Sequence, residues 1–256
     1  MNVSFSNILR IFSWFFIYFQ YTESNYNFKS ISFINSNSNA YSKSDDAIKR
    51  CETAISKNSS LDCLPNGPSF CLGLLRLSRK EYDLAIEAFK KAIEKCPTNG
   101  AAYYNLGSVY EKMIDFESAI TAYNSSYMYE STKESSILKL VPLLIRKKNI
   151  PSIEYAVQIC NNYLKYDPNQ VSILELLGAC YHQSKKFKKA LEIYERVVVL
   201  SNFTLKALQN TATAAENANL LDKAQEYYSL AINSVHGSTD PNTWTKYGCF
   251  LKYRGR

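Results

Sequence analysis

A fixed spacing of small, apolar and aromatic positions recurs along most of the chain. The pair Leu72-Gly73 is repeated 34 residues later as Leu106-Gly107 and again as Leu177-Gly178. An alanine stands 12 residues after each of these glycines, and an aromatic residue follows it after four more. These residues are Ala85 and Phe89, Ala119 and Tyr123, and Ala190 and Tyr194, with Ala224 and Tyr228 at the same period. A constant period of this length predicts a solenoid of stacked helical hairpins.

Inside each period, apolar residues recur at helical spacing, which predicts two amphipathic helices, A and B. The glycine and the alanines stand where the two helices must approach closely, and the larger apolar residues form the core between them. Pro97 and Pro168 follow helix B, where proline stops a helix. Asp240-Pro241 predicts the start of another helix, with aspartate as cap and proline in the first turn. The predicted fold class is therefore all-α.

This pattern resembles the tetratricopeptide repeat (TPR) family, in which a 34-residue unit forms two antiparallel helices. The resemblance extends from about Asp45 to Arg256, and it implies a right-handed solenoid of antiparallel helix-turn-helix repeats. Five repeats are expected at 66–99, 100–133, 137–170, 171–204 and 205–238, after a degenerate leading helix at 45–65 and before a partial sixth repeat at 241–256.

Repeat three departs from the pattern. Ala156 and Pro168 place it at 137–170, after a three-residue insertion. Leu144 occupies its glycine position, and Pro142 lies inside its helix A. A proline there removes one backbone hydrogen bond, so a kink is expected.

The first 44 residues stand apart from the repeats. The apolar part of the stretch Ile8–Phe19 begins at Ile11 and is too short for a bilayer span, whereas Arg10 followed by an apolar core fits a secretory signal peptide. Residues 1–21 are therefore interpreted as a signal peptide, a hydrophobic anchor or a structural N-terminus, and localisation stays open between the cytoplasm and the secretory pathway. Residues 22–44 are rich in Ser and Asn, which predicts a disordered linker.

The sequence lacks the usual signatures of catalysis. Its two histidines, His182 and His236, belong to no metalloprotease or paired-cysteine zinc pattern, and no phosphate-binding glycine loop occurs. The seven cysteines are interpreted mostly as small buried residues. We therefore expect no enzyme, no metal and no cofactor. The net charge of +7 is modest, and few aromatics accompany the basic residues, so nucleic acid is not the expected partner.

The family resemblance implies that one face of the A helices lines a concave groove, where a partner peptide or helix binds. The implied groove residues are Phe70, Leu74, Tyr104, Asn105, Ser108, Glu111, Leu138, Val141, Ile145, Glu175, His182, Lys206, Gln209, Asn210 and Thr213. The N-terminal half of this set is mainly apolar and the C-terminal half is mixed polar. An alternative for Leu138, Val141 and Ile145 is packing against neighbouring repeats.

Two known uses of such grooves fit poorly. The clamp of co-chaperones that hold acidic tails needs a Lys and an Asn four residues apart, but Phe70 and Leu74 stand there. The asparagine ladder of O-GlcNAc transferases is matched at Asn105 and Asn210 but not at Pro142. Basic residues gather at the ends of the A helices, where they offset the helix dipole or form a basic edge for an acidic partner.

The last helix is expected to lack a partner helix. Trp244, Tyr247, Phe250 and Leu251 would then leave an apolar face open, which predicts self-association, and the sequence is interpreted as a fragment of a longer product. The function that fits best is a non-catalytic scaffold or adaptor. Alternatives are the repeat region of a larger enzyme, such as an O-GlcNAc-transferase-like glycosyltransferase, and a secreted or lumenal repeat protein in protein quality control.

Overall fold

The computed structural model describes residues 38–57, 67–234 and 237–255. Residues 1–21, with their three interpretations, and most of the predicted linker therefore lie outside the described residues. Within those ranges, no helix combines the length and the hydropathy that a membrane span requires.

The described residues form twelve α-helices and one short 3-10 turn, Glu130–Thr132. The helices are α1 (Ser38–Ser56), α2 (Pro68–Ser78), α3 (Tyr82–Lys95), α4 (Gly100–Lys112), α5 (Phe116–Tyr127), α6 (Lys133–Arg146), α7 (Ile150–Leu164), α8 (Val171–Gln183), α9 (Phe187–Leu200), α10 (Leu205–Asn217), α11 (Leu221–Asn233) and α12 (Pro241–Arg254).

Each helix packs against the next one along the chain. Helices α2, α4, α6, α8 and α10 are the A helices of five consecutive pairs, and each is followed by its B helix. Helix α1 precedes the first pair and α12 follows the last. The core lies between the layers of A and B helices as a chain of neighbouring clusters of buried residues. The all-α solenoid predicted from the repeat period is confirmed.

Polar caps explain where several helices begin. The side chains of Asn99, Asp115, Asn149 and Asp240 each accept a hydrogen bond from the backbone N–H three residues ahead, at 2.8–3.1 Å. Each bond satisfies a donor that the first helical turn leaves without a partner.

The turn from helix A to helix B has the same unusual backbone in all five pairs. One residue adopts a left-handed φ between 54° and 65°, and none of these residues is a glycine. The five residues are Lys80, Ile114, Lys148, Lys185 and Asn219. This conformation costs an L-residue about 1–2 kcal/mol, and most of all a β-branched one such as Ile114.

The glycine of the repeat receives an aromatic ring from helix B. A methyl group added at Gly107 would lie 2.8 Å from the ring of Tyr123, and one at Gly178 would lie 2.5 Å from the ring of Tyr194. No side chain fits between the helix backbone and a ring at that distance. The predicted close approach of helices A and B at this position is therefore present.

Repeat three keeps the hairpin with a different pair of residues. Buried Leu144 takes the glycine position, and the aromatic position in α7 is held by Cys160, which is 0% exposed. Both side chains belong to the same core cluster. A large residue on helix A is thus matched by a small one on helix B, the reverse of the other repeats, so a similar total volume fills the interface.

Two predicted boundaries need correction. Helix α6 begins at Lys133 rather than at 137 and continues unbroken through Pro142 to Arg146. The insertion forms the first turn of this helix, where the Ser136 hydroxyl donates to Ser126 Oγ (2.9 Å) and the Thr132 hydroxyl donates to the Ser126 carbonyl (2.8 Å).

Helix α1 begins at Ser38, inside the linker predicted to end at 44, and stops at Ser56. Its Asp45 carboxylate pairs with Arg79 at 2.5 Å, and Glu52 pairs with Arg76 at 2.8 Å. Contact with α2 therefore favours a helix where the Ser- and Asn-rich composition alone indicates a loop.

Candidate partner-binding surface

The residues predicted for the groove lie on one face of the A helices, which we call the A-helix face. Spacings of three and four residues place them on the same side of each helix. Most are partly accessible: Leu74, Tyr104, Ser108, Glu111, Ile145, Glu175, His182, Gln209, Asn210 and Thr213 are half-buried, and Leu138 and Lys206 are exposed.

Three predicted residues belong to the core instead. Phe70 is 6% exposed and packs against Phe89, with ring centroids 5.8 Å apart. Val141 is 0% exposed. Asn105 is 8% exposed and donates to the Ala101 carbonyl of its own helix at 2.8 Å. These three side chains are buried and offer little surface to a partner.

The N-terminal half of the A-helix face is apolar. Leu74 on α2, Tyr104 on α4, and Leu138 and Ile145 on α6 follow one another along the solenoid. Leu138 is 38% exposed. Tyr104 rests against the buried ring of Tyr123, with centroids 5.5 Å apart, so its position is fixed by the core.

Glu111 joins neighbouring repeats at the border of this apolar half. Its carboxylate accepts a hydrogen bond from the Tyr123 hydroxyl at 2.8 Å and one from Lys139 on α6 at 3.3 Å. Burial, followed by the hydrogen bond to Glu111, raises the pKa of Tyr123 well above its usual range. The phenol therefore remains a neutral donor, and the carboxylate is held in place on the A-helix face.

The C-terminal half is polar, and its side chains link successive A helices. Lys206 on α10 pairs with Glu175 on α8 at 2.6 Å. Gln209 donates to Asp240 at 2.9 Å and to Thr243 of α12 at 2.5 Å. These contacts connect three consecutive A helices, so the C-terminal half is a continuous surface.

His182 is a neutral member of this polar half. Burial lowers its pKa, and its Nε2 lies 2.9 Å from the side-chain nitrogen of Asn217. An amide nitrogen is a donor, so with the assigned amide orientation Nε2 must accept, which only the neutral ring can do. The ring also meets Phe187 edge-on, with centroids 5.3 Å apart.

Asn210 differs from its neighbours because its side-chain amide makes no hydrogen bond to any other part of the chain that the structure describes. It is half-buried on α10 and lies one residue from Gln209, whose amide nitrogen donates to both Asp240 and Thr243. An amide with both a donor and an acceptor free can pair with the backbone of an extended segment.

Sequence reasoning missed four residues that organise this surface, namely Lys139, Asn217, Asp240 and Thr243. The spacing of complementary residues relative to the repeat period could have identified some of them. Glu111 and Lys139 lie 28 residues apart, and His182 and Asn217 lie 35 apart. Pairs of complementary residues about one repeat apart indicate contacts between successive A helices.

The apolar face predicted for the last helix is only partly open. Phe250 is 1% exposed and packs 5.3 Å from the ring of Tyr228, and Tyr247 is half-buried beside both rings. Trp244 and Leu251 are 50% and 43% exposed. Helix α12 thus covers the end of the core, and the open part of its predicted apolar face is reduced to Trp244 and Leu251.

Among the residues that the structure describes, no group of three or more His, Cys, Asp or Glu side chains could hold a metal ion.

The sequence matches two family models. The model described as TPR repeat matches residues 73–113, and the model described as tetratricopeptide repeat matches 100–132 and 171–202.

One curated relative is BBSome complex member BBS4 from Bos taurus, which is 24% identical over 164 residues. The match covers 63% of this chain but 31% of BBS4, so the chain spans less than a third of the length of that relative.

Two solved structures share the fold. YrrB, described as a TPR protein with an unusual peptide-binding site, superposes with a TM-score of 0.62 at 18% identity, covering 80% of this chain and 98% of YrrB. The C-terminal part of a TPR repeat-containing protein from Cytophaga hutchinsonii has a TM-score of 0.59 at 19% identity, covering 80% of this chain and 78% of that one.

Proposed function

The chain belongs to the tetratricopeptide repeat family, and from that premise we propose that it is a non-catalytic scaffold whose A-helix face holds a segment of a partner protein. Proteins of this family and fold are in general protein-interaction modules. The proposal adds the surface, the kind of segment and the residues that contact it.

The observation that carries the proposal is the division of the A-helix face into an apolar half and a polar half. Leu74, Tyr104, Leu138 and Ile145 offer apolar contacts from three successive A helices. An amphipathic helix or an extended segment with spaced apolar anchors buries such a strip well. Burial of a side chain the size of leucine contributes about 1.5–3 kcal/mol when it is complete.

The polar half supplies direction and register. Asn210 has an uncommitted amide, which would donate to a backbone carbonyl and accept from a backbone N–H of the segment. Glu175 and Lys206 already neutralise each other at 2.6 Å, so a strongly charged tail gains little there. The preferred segment therefore has apolar anchors at one end and an extended, weakly charged backbone at the other.

The similar proteins agree with a role in assembly. YrrB is described as having a peptide-binding site, and BBS4 is described as a member of a complex. Either description suggests that this chain binds a segment of another protein as one component of a larger assembly.

The test uses peptides selected on the full-length chain from a phage-displayed library that encodes amphipathic and extended sequences. The affinity of a selected peptide is then measured for Leu138→Lys and for a matched control, Leu230→Lys. The two leucines are 38% and 39% exposed, and Leu230 lies on B helix α11, outside the A-helix face.

Leu138→Lys is expected to weaken binding at least about tenfold, because it places a charge where an apolar anchor packs. Leu230→Lys is expected to leave the affinity unchanged. The proposal is wrong if the two variants bind equally well, or if the control loses affinity and Leu138→Lys does not.

The uncommitted amide is tested separately with Asn210→Ala. Loss of a hydrogen bond to the peptide lowers affinity by about two- to twelvefold, as one bond contributes about 0.5–1.5 kcal/mol. The free energy of unfolding should stay within about 0.5 kcal/mol, since the side chain makes no hydrogen bond to the described residues that the change could remove. An unchanged affinity contradicts the assigned role of Asn210.

A further inference from the structure

The turns from helix A to helix B all lie on one edge of the solenoid, which we call the turn edge. Successive helices alternate in direction, so every A helix ends on the same side. The turn edge comprises residues 79–81, 113–115, 147–150, 184–188 and 218–221.

Side-chain contacts between neighbouring turns make this edge continuous. Lys147 at the third turn pairs with Glu117 beside the second at 2.6 Å, and the Arg146 guanidinium lies 4.1 Å above the ring of Phe116. Asn217 before the fifth turn contacts His182 before the fourth. The turns are therefore parts of one surface.

The middle of the turn edge is strongly cationic. Lys148, Lys185, Lys186 and Lys188 are exposed, and none forms an ion pair with the described residues. Three acidic residues at or beside the edge are already engaged: Asp115 caps α5, Glu117 pairs with Lys147, and Asp222 pairs with Arg254. The four lysines are therefore available to an external anion.

Helix electrostatics explain only two of these lysines: Lys148 and Lys185 follow the C-terminal ends of α6 and α8, where cations are favourable, but Lys186 and Lys188 do not. Lys186 is the N-cap of α9 and Lys188 lies in its first turn, which contains no acidic residue. The N-terminus of a helix carries partial positive charge, so lysines there oppose the folding of α9. A charge pattern that does not favour the fold indicates a role toward an external anion.

Large apolar side chains project from the same edge between the lysines. Ile114 is 70% exposed, Ile150 is 72% exposed, and Met113 is 43% exposed. Leu220 and Leu221 continue the series at the fifth turn, with 38% and 37% exposed. The turn edge thus alternates projecting apolar groups with cations along several repeats.

We propose that the turn edge binds the surface of a lipid bilayer that contains anionic lipids. Lysines on such an edge attract the anionic headgroups, while the isoleucines and Met113 enter the boundary between headgroups and acyl chains. A purely acidic protein or nucleic acid would use the cations but would leave these apolar groups in water. The site is separate from the A-helix face, so either can be present without the other.

The experiment measures co-sedimentation of the full-length chain with vesicles of phosphatidylcholine alone and with vesicles that also contain phosphatidylserine. The edge variant carries Lys148, Lys185, Lys186 and Lys188→Gln. Its control carries the same change at four exposed lysines away from the edge, namely Lys57, Lys90, Lys91 and Lys165. The N-terminal apolar segment is identical in the wild-type chain and both variants. Any contribution that it makes to vesicle binding therefore cancels when these proteins are compared.

The wild-type chain is expected to bind the anionic vesicles more tightly than the neutral ones. Each lysine removed from the edge should lower the partition coefficient about fivefold, whereas the control variant loses far less. Equal losses in the edge and control variants overturn the proposal, as does equal binding of the wild-type chain to the two kinds of vesicle.

A second variant separates a bilayer from an acidic macromolecule. Ile114→Asn and Ile150→Asn together leave every lysine in place and suit the left-handed backbone at 114. The double variant should lose at least about tenfold in binding to anionic vesicles. Unchanged vesicle binding refutes the bilayer assignment and favours an acidic protein or nucleic acid at this edge.

Discussion

A methyl group placed at Gly178 tests how tightly helices α8 and α9 are packed. In Gly178→Ala the new carbon would lie 2.5 Å from Cε1 of Tyr194 and 2.8 Å from its Cζ. The Tyr194 side chain is 6% exposed, so the ring cannot move into solvent without leaving the core. The two helices must therefore separate, or the ring must leave its preferred rotamer.

The expected magnitude follows from two opposing terms. Overpacking of this kind costs about 1–3 kcal/mol, and replacing glycine by alanine inside a helix gains about 0.5–1 kcal/mol. The net result is a destabilisation of about 0–2.5 kcal/mol. We expect a value at the low end of this range, because repeat five already has an alanine, Ala212, at the glycine position. Ala212 packs in one cluster with Tyr228, so this kind of interface can accommodate a methyl group beside the ring.

Gly248 provides the matched control. It is exposed in the interior of α12, and an added methyl group would meet nothing within 4 Å. Gly248→Ala should therefore stabilise the protein by about 0.5–1 kcal/mol, since only the helix-propensity gain remains.

The assay is urea denaturation followed by far-ultraviolet circular dichroism for the wild-type chain and both variants. A third comparison introduces Gly178→Ala into a Tyr194→Leu background, where the ring is gone and the penalty should largely disappear. If the two alanine variants stabilise the chain equally, or if the penalty at Gly178 persists without the ring, the packing argument is refuted.

Three further predictions concern strain and protonation. Ile114→Asn should stabilise the chain by about 1 kcal/mol in urea denaturation, because asparagine, the residue found at Asn219, tolerates the left-handed backbone; no gain contradicts the strain. Burial lowers the pKa of His182, so its contribution to stability is complete above about pH 6.5 and is lost as the pH falls below that value. Thermal melts against pH should show this loss, and His182→Gln should lack it. Burial, followed by the charge of Glu134, raises the pKa of Tyr163 to about 12, so stability should fall from about pH 10 upward; melts of Tyr163→Phe should show a smaller fall.

Much of the fold could be predicted from local patterns. The glycine, alanine and aromatic positions repeat because each hairpin buries the same kind of interface, so the period alone indicates paired helices. The start of α6 could not be predicted in this way. It depends on hydrogen bonds that Thr132 and Ser136 make to Ser126 of the preceding helix, and a single-repeat pattern does not contain that contact.

The candidate surface was predicted less completely than the fold. Helical spacing identifies the side of a helix on which Phe70 and Val141 lie, but the depth of each side chain depends on the neighbouring helix. Both are buried because Phe89 and the α6–α8 contact cover them. In repeat three, Leu144 replaces the glycine of helix A and Cys160 replaces the aromatic residue of helix B. This exchange also involves two helices, so it can be recognised only when both positions are compared together.

The most direct test of the proposed scaffold role is photo-crosslinking from a benzophenone amino acid placed at Leu138 or, as a control, at Leu230 of the full-length chain in cells. The two positions match in exposure, at 38% and 39%, and differ in face. We predict a discrete crosslinked protein from position 138 that is absent from position 230 and is reduced in yield with Asn210→Ala. Equal crosslinking from both positions, or a product from position 230 alone, would contradict partner binding on the A-helix face.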